Sequence, residues 1–121
     1  MKYMMSMFGS AGGMGETQSP DWIREMIAFM IAIDGRLRES GEMVFNAGLA
    51  DPDQGSVVRV DGGTPVVTPG SSAPAEHSLI GFWIVDVASE ERAVELAGEI
   101  AVWSGAVELR PVPDGPPPEF V

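Results

Sequence analysis

The sequence contains no cysteine, which removes disulfides, thiolate nucleophiles and cysteine metal sites from consideration. Cysteine usage of this kind fits a reducing cytoplasm. Histidine occurs once, at His77, and no carboxylates stand at a recognised ligand spacing, so neither a metal site nor a cofactor is expected. Positive charge is scarce: seven Lys and Arg, of which only Lys2 is lysine, face 18 acidic residues and leave a net charge of −11. Such a field repels a phosphate backbone and an anionic lipid surface, so neither nucleic acid nor membrane is an expected partner. No apolar run approaches the roughly 20 residues that span a bilayer. The apolar start, Met1 to Phe8, is too short for a signal-peptide core and runs into a glycine-rich stretch from Gly9 to Gly15. That stretch lacks the lysine–serine end and the spacing of a phosphate loop. A soluble cytoplasmic protein is the expectation.

What is present is a globular composition. The chain has 121 residues, 45% of them hydrophobic, which suits one domain with its own core. At this size roughly two-thirds of the surface exposed by the unfolded chain can be buried. Tyr3 to Phe8 reads as a short buried strand, and the glycines after it as a loop. Ser19-Pro20-Asp21 is a helix start: a capping hydroxyl, a proline at the first position and an acid at the positive end of the dipole. Apolar residues then recur at Trp22, Met26, Met30, Ile33 and Leu37, and Gly41 supplies the stop. Asp34 and Arg38, four apart, are expected to pair on the outer face. Met43 to Leu49 reads as a strand with a bulge at Gly48. Ser56 to Val60 and Thr64 to Thr68 flank Asp61-Gly62-Gly63, a hairpin signal. Leu79 to Val87 is the strongest strand, Ser89-Glu90-Glu91 opens a second helix that ends at Gly105, and Ala106 to Arg110 is the last strand.

The order strand, helix, strand, hairpin, strand, helix, strand predicts an α+β fold: a ferredoxin-like βαββαβ domain with a hairpin insertion. The domain is expected over residues 1–112. Residues 113–121 form a proline-rich C-terminal tail that cannot be regular structure. Both helices fall on one sheet face, yet the strand from Leu79 is apolar on both: Leu79, Gly81, Trp83 and Val85 are expected on one side, Ile80, Phe82 and Ile84 on the other. The second face requires a second cover. The expected cover is another copy of the chain, making a dimeric α/β barrel, or a small organic ligand.

Met1-Lys2-Tyr3-Met4, Gly48-Leu49, Val66-Val67-Thr68, Leu79-Ile80-Gly81-Phe82, Asp86-Val87 and Val107-Glu108-Leu109-Arg110-Pro111 together resemble the YCII-related family, in particular its DGPF-domain branch. The resemblance implies a ferredoxin-like dimeric α/β barrel around a pocket. The family's Thr-Asp-Gly-Pro-Phe motif is degenerate here, as Thr68-Pro69-Gly70-Ser71-Ser72, with Glu76 at the family's lysine position. The histidine near the first helix, part of a His–Asp pair proposed as catalytic in the YCII branch proper, has no counterpart. Neither supposed site carries over. The degenerate motif favours a sensor or accessory role as an alternative to catalysis, and the resemblance permits the link to alternative sigma factors beside which some family members are encoded.

Four groups remain as chemical candidates. His77, the single histidine, is a candidate general base, with Glu76, Asp86 or Glu108 as partner. Glu108 and Arg110, two apart on a strand, share the face opposite Val107 and Leu109, so Glu108 is a candidate base and Arg110 a candidate anion holder. Tyr3 and Trp83 are candidate walls of a pocket for an aromatic ligand, and the eight methionines would make such a wall adaptable. The function expected is small-molecule binding, with cofactor-free proton transfer (isomerisation, elimination or cyclisation) as the chemistry. The alternative is a non-catalytic sensor or accessory protein.

Overall fold

A computed structural model of the chain describes residues 1–9 and 15–121. Of the loop expected from Gly9 to Gly15, residues 10–14 lie outside them. Among the described residues, six strands and two long helices run in the order β1 (Lys2–Phe8), α1 (Pro20–Ser40), β2 (Met43–Gly48), β3 (Ser56–Asp61), β4 (Thr64–Pro69), β5 (Leu79–Asp86), α2 (Glu90–Ser104) and β6 (Glu108–Pro111). Strands β2-β5-β1-β6 form one sheet in that order, and every neighbouring pair is antiparallel. This α+β arrangement is compatible with a ferredoxin-like fold. β3 and β4 form a separate two-stranded sheet.

The helix ends follow from local chemistry. Ser19 Oγ accepts from the Trp22 amide at 3.1 Å and Ser89 Oγ from the Arg92 amide at 3.2 Å, each satisfying one free N–H of a first turn. Gly41 closes α1 at φ 79°, where its own amide donates to Arg38 O and the Glu42 amide reaches back to Leu37 O. The sheet departs from expectation in two places. The irregularity in β2 falls between Met43 and Phe45 rather than at Gly48, which pairs regularly with Gly81. The hairpin turn is Gly62-Gly63, with Asp61 still paired to Thr64; both glycines hold positive φ, 57° and 83°. The tail also has some order: Pro118–Phe120 make a single 3-10 turn.

The core lies between the helices and one sheet face. Met5, Val85, Ile33, Leu37, Leu96 and Ile100 are each under 2% exposed, so β1 and β5 meet both helices there. Period-2 alternation puts Tyr3, Met5 and Met7 of β1 in this core, and Trp83 and Val85 of β5 with them. The two helices touch through aromatic rings, Trp22 against Trp103 at 5.4 Å and Phe29 against Trp103 at 5.8 Å. Arg92, in the first turn of α2, reaches the end of α1 and start of β2 with two bonds to the Glu42 carboxylate, at 2.9 and 3.0 Å. Those bonds outweigh burial and hold the Glu42 carboxyl below the usual carboxylate range, while Glu42 raises the Arg92 guanidinium further above its own.

Neither α1 nor α2 packs on the other sheet face. Phe45 and Phe82 rings meet there at 5.9 Å, with Met4 and Ile84 half-buried beside them. Phe45 remains 55% exposed, which leaves an aromatic pair facing outward.

Candidate functional site

The most informative side chains sit where α1 crosses β2 and β5. Met26, Met30 and Asp34 are four apart in turn, so they form one line along α1. That line faces the sheet. Trp83 Nε1 donates to Asp34 Oδ1 at 2.8 Å, and Asn46 Nδ2 donates to Asp34 Oδ2 at 2.8 Å. Trp83 and Asn46 are register partners on β5 and β2, so adjacent strands present both donors side by side. The expected outer-face pair of Asp34 with Arg38 does not form. The carboxylate turns inward because two N–H donors await it there, whereas Arg38 offers only a solvated ion pair.

Beside this cluster lies a half-open cavity of about 270 Å3. Met7, Met26, Met30, Leu49 and Ile80 supply most of its apolar wall, and Asp34, Asn46 and Trp83 its polar end. Ala47, Gly48 and Gly81 add backbone and little bulk. A small apolar chamber with a few convergent polar groups is the usual form of a ligand site. The cavity lies on the helix-covered side of the sheet within one chain, not on the bare face.

A family model described as the YCII-related domain matches residues 1–114, nearly the whole chain. The chain belongs to the YCII-related family. No curated protein matches it.

Of the candidates singled out in this YCII-related sequence, Trp83 and three of the methionines, Met7, Met26 and Met30, line the cavity. Tyr3 is 6% exposed in the core, and its edge borders a shallow dent with Lys2, Pro111 and Asp114. Glu108 and Arg110 lie on the edge strand β6, opposite Ser6 and Met4, on the face away from the helices. They approach each other to 3.7 Å with side chains 49% and 74% exposed, a loose ion pair in water. His77 is exposed at the end of the one-turn helix Ala75–His77. Among the described residues no hydrogen bond or ion pair joins it to Glu76, Asp86 or Glu108. Asp86 ends β5 while His77 precedes it, so an extended strand of about 25 Å separates them. Asp86 instead accepts from the Met1 amine at 2.9 Å, and that bond lowers its carboxyl pKa.

The segment Gly70-Ser71-Ser72 borders a separate open groove of about 430 Å3 with Gln54, Ser56 and Ser78. Ser78, 6% exposed, shares a 3.0 Å bond with Ser71 and donates to the carbonyls of Ala73 and Pro74, an arrangement that pins this loop to the start of β5. Its hydroxyl is fully engaged by loop backbone and does not point at a substrate.

Asp34 and Asn46 were missed by pattern. One signal was available: an acid that extends the Met26–Met30 line by one more helical step is misplaced for a solvated face. For Asn46, alternation along β2 gives no hint, because the strand is irregular between Met43 and Phe45.

Proposed function

We propose that this protein binds a small organic molecule in the cavity between α1 and the β2–β5 edge, anchored by the Asp34 carboxylate. One observation carries the reading: a carboxylate at the end of an apolar chamber, aimed by Trp83 and Asn46 at 2.8 Å each. Two held donors fix the carboxylate's direction, and each oxygen keeps a further lone pair for a ligand. Rigid placement of one polar group in an apolar wall confers specificity more than affinity.

Binding without turnover is favoured over catalysis. Proton transfer needs a group to remove a proton and usually a second to return it or to hold the developing charge. Asp34 is the one titratable side chain among the described residues that line the cavity. A second reading, single-base proton transfer by Asp34 on an enolisable compound, therefore lacks a partner for the oxyanion. His77, Glu108 and Arg110 stand outside the chamber and have no part in either reading.

The same proposal includes a homodimer through the bare sheet face, forming a dimeric α/β barrel. Support comes from Phe45, Phe82, Ile84 and Met4, which make an apolar surface that neither α1 nor α2 covers.

A fragment library read by melting temperature tests the binding reading, with wild type compared against Met26→Trp, which fills the chamber from its α1 wall. Some fragments should stabilise the wild type and not the variant. If every stabilising fragment acts equally on both, the cavity is not the site. NMR of a bound fragment over hours separates the two readings: an unchanged spectrum supports binding alone, and a new product spectrum lost in Asp34→Asn supports proton transfer.

A further inference from the structure

The charge inside the chamber selects its ligand. We infer that the cavity takes an organic cation: a protonated amine, or a related N–H cation, carrying an apolar body. This rests on the binding reading above and adds the ligand class. Asp34 brings a negative charge, and no Lys, Arg or His stands among the described residues of the wall. Trp83 and Asn46 are neutral donors, so they orient the carboxylate without neutralising it. Outside the wall, Arg36 pairs with Glu99 at 3.0 Å and Arg92 with Glu42 and Glu95.

Three classes of ligand then fare differently. An anionic ligand would set like charges together in a poorly solvated site, which is costly. A neutral ligand without a donor would strip water from the free lone pairs of Asp34 and leave them unpaired. A cationic N–H fills those lone pairs and compensates the charge in one contact. The rest of the wall suits the remainder of such a molecule. Met7, Met26 and Met30 offer three polarizable thioethers around an alkyl or aromatic body. Outside the chamber, the net charge of −11 raises the local concentration of cations and depletes anions.

The test uses three probes of nearly one shape: 2-phenylethylamine, 2-phenylethanol and phenylacetate. Each is titrated into the full chain while the Trp83 indole N–H is followed by 1H–15N NMR, assigned through Trp83→Phe. The amine should shift that signal with an affinity about tenfold or more above the alcohol, the margin between a charge-assisted and a neutral hydrogen bond. Phenylacetate should leave it unmoved. In Asp34→Asn, checked for fold by circular dichroism, the preference for the amine should disappear while the alcohol still binds. If the alcohol or the acid shifts the wild-type signal at equal or lower concentration than the amine, the chamber binds ligands but not by their positive charge, and this inference is overturned while the binding reading stands. If none of the three moves the Trp83 signal at millimolar concentration, the binding reading falls and this inference with it.

Discussion

Trp83 and Asp34, 49 positions apart in the chain, are joined by a 2.8 Å bond from the indole N–H to one carboxylate oxygen. That bond ties the middle of β5 to α1, and Asn46 adds the neighbouring strand from the other oxygen. A single carboxylate therefore clamps a helix to two strands and simultaneously faces the chamber. Stability and binding are coupled at this residue.

Trp83→Phe keeps an aromatic ring in the core and withdraws the N–H. Leaving a half-buried carboxylate oxygen short of a donor should cost about 1–2 kcal/mol in urea denaturation. A double-mutant cycle with Asp34→Ala should return a coupling on the order of 1 kcal/mol. Strict additivity of the two substitutions would mean that the bond contributes nothing.

The Glu42–Arg92 pair makes stability depend on pH in a defined direction. The folded-state pKa of Glu42 lies below the ordinary value of 4.5, chiefly through its bonds to Arg92. A carboxyl of lowered pKa contributes stability that is present above the unfolded value and is lost as pH falls through the folded one. Because Arg92 is 35% exposed, the contribution is screened and should be about 1 kcal/mol near neutrality. Glu42→Gln should therefore be less stable than wild type near pH 7, and the gap should close progressively below 4.5. A gap of constant size from pH 7 to pH 3 would assign it to packing and not to charge.

Phe45→Glu examines the bare sheet face. Phe45 is 55% exposed in one chain, so the change should alter monomer stability by no more than about 0.5 kcal/mol. Against a partner's matching face it places two charges in an apolar interface. Sedimentation velocity should show wild type as a dimer and the variant as a monomer. A wild-type monomer at all concentrations would remove the barrel from the proposal.

Leu37→Ala measures how far the core depends on α1. Leu37 is 1% exposed among Met5, Val85 and Ile100, and its truncation should cost about 2–5 kcal/mol through lost transfer energy and the cavity left behind. Val102, 78% exposed on α2, serves as the control, with an expected change within about 0.5 kcal/mol for Val102→Ala. Equal effects at both positions would contradict the placement of the helix faces.

Elements whose causes are local were legible in the sequence. Ser19 and Gly41 bound α1 because capping is decided by the residue and its immediate neighbours. The same holds for Ser89 and Gly105 around α2, and for the hairpin, although its turn uses Gly62 and Gly63 where Asp61-Gly62 was expected. The order of strands and helices placed both helices on one face of the sheet, and the buried residues of β1 and β5 lie against them there. The site was not legible in the same way. A strand pattern gives the side on which Trp83 lies, but not that its N–H meets an acid from α1. Asp34 read as a surface residue because its helical neighbour Arg38 was visible in the sequence, whereas Trp83 and Asn46 become its neighbours only when β2 and β5 pair. Local propensity is set by nearest neighbours along the chain and survives without the fold. The chamber and its charge arise from contacts between distant segments, so tertiary packing alone decided them.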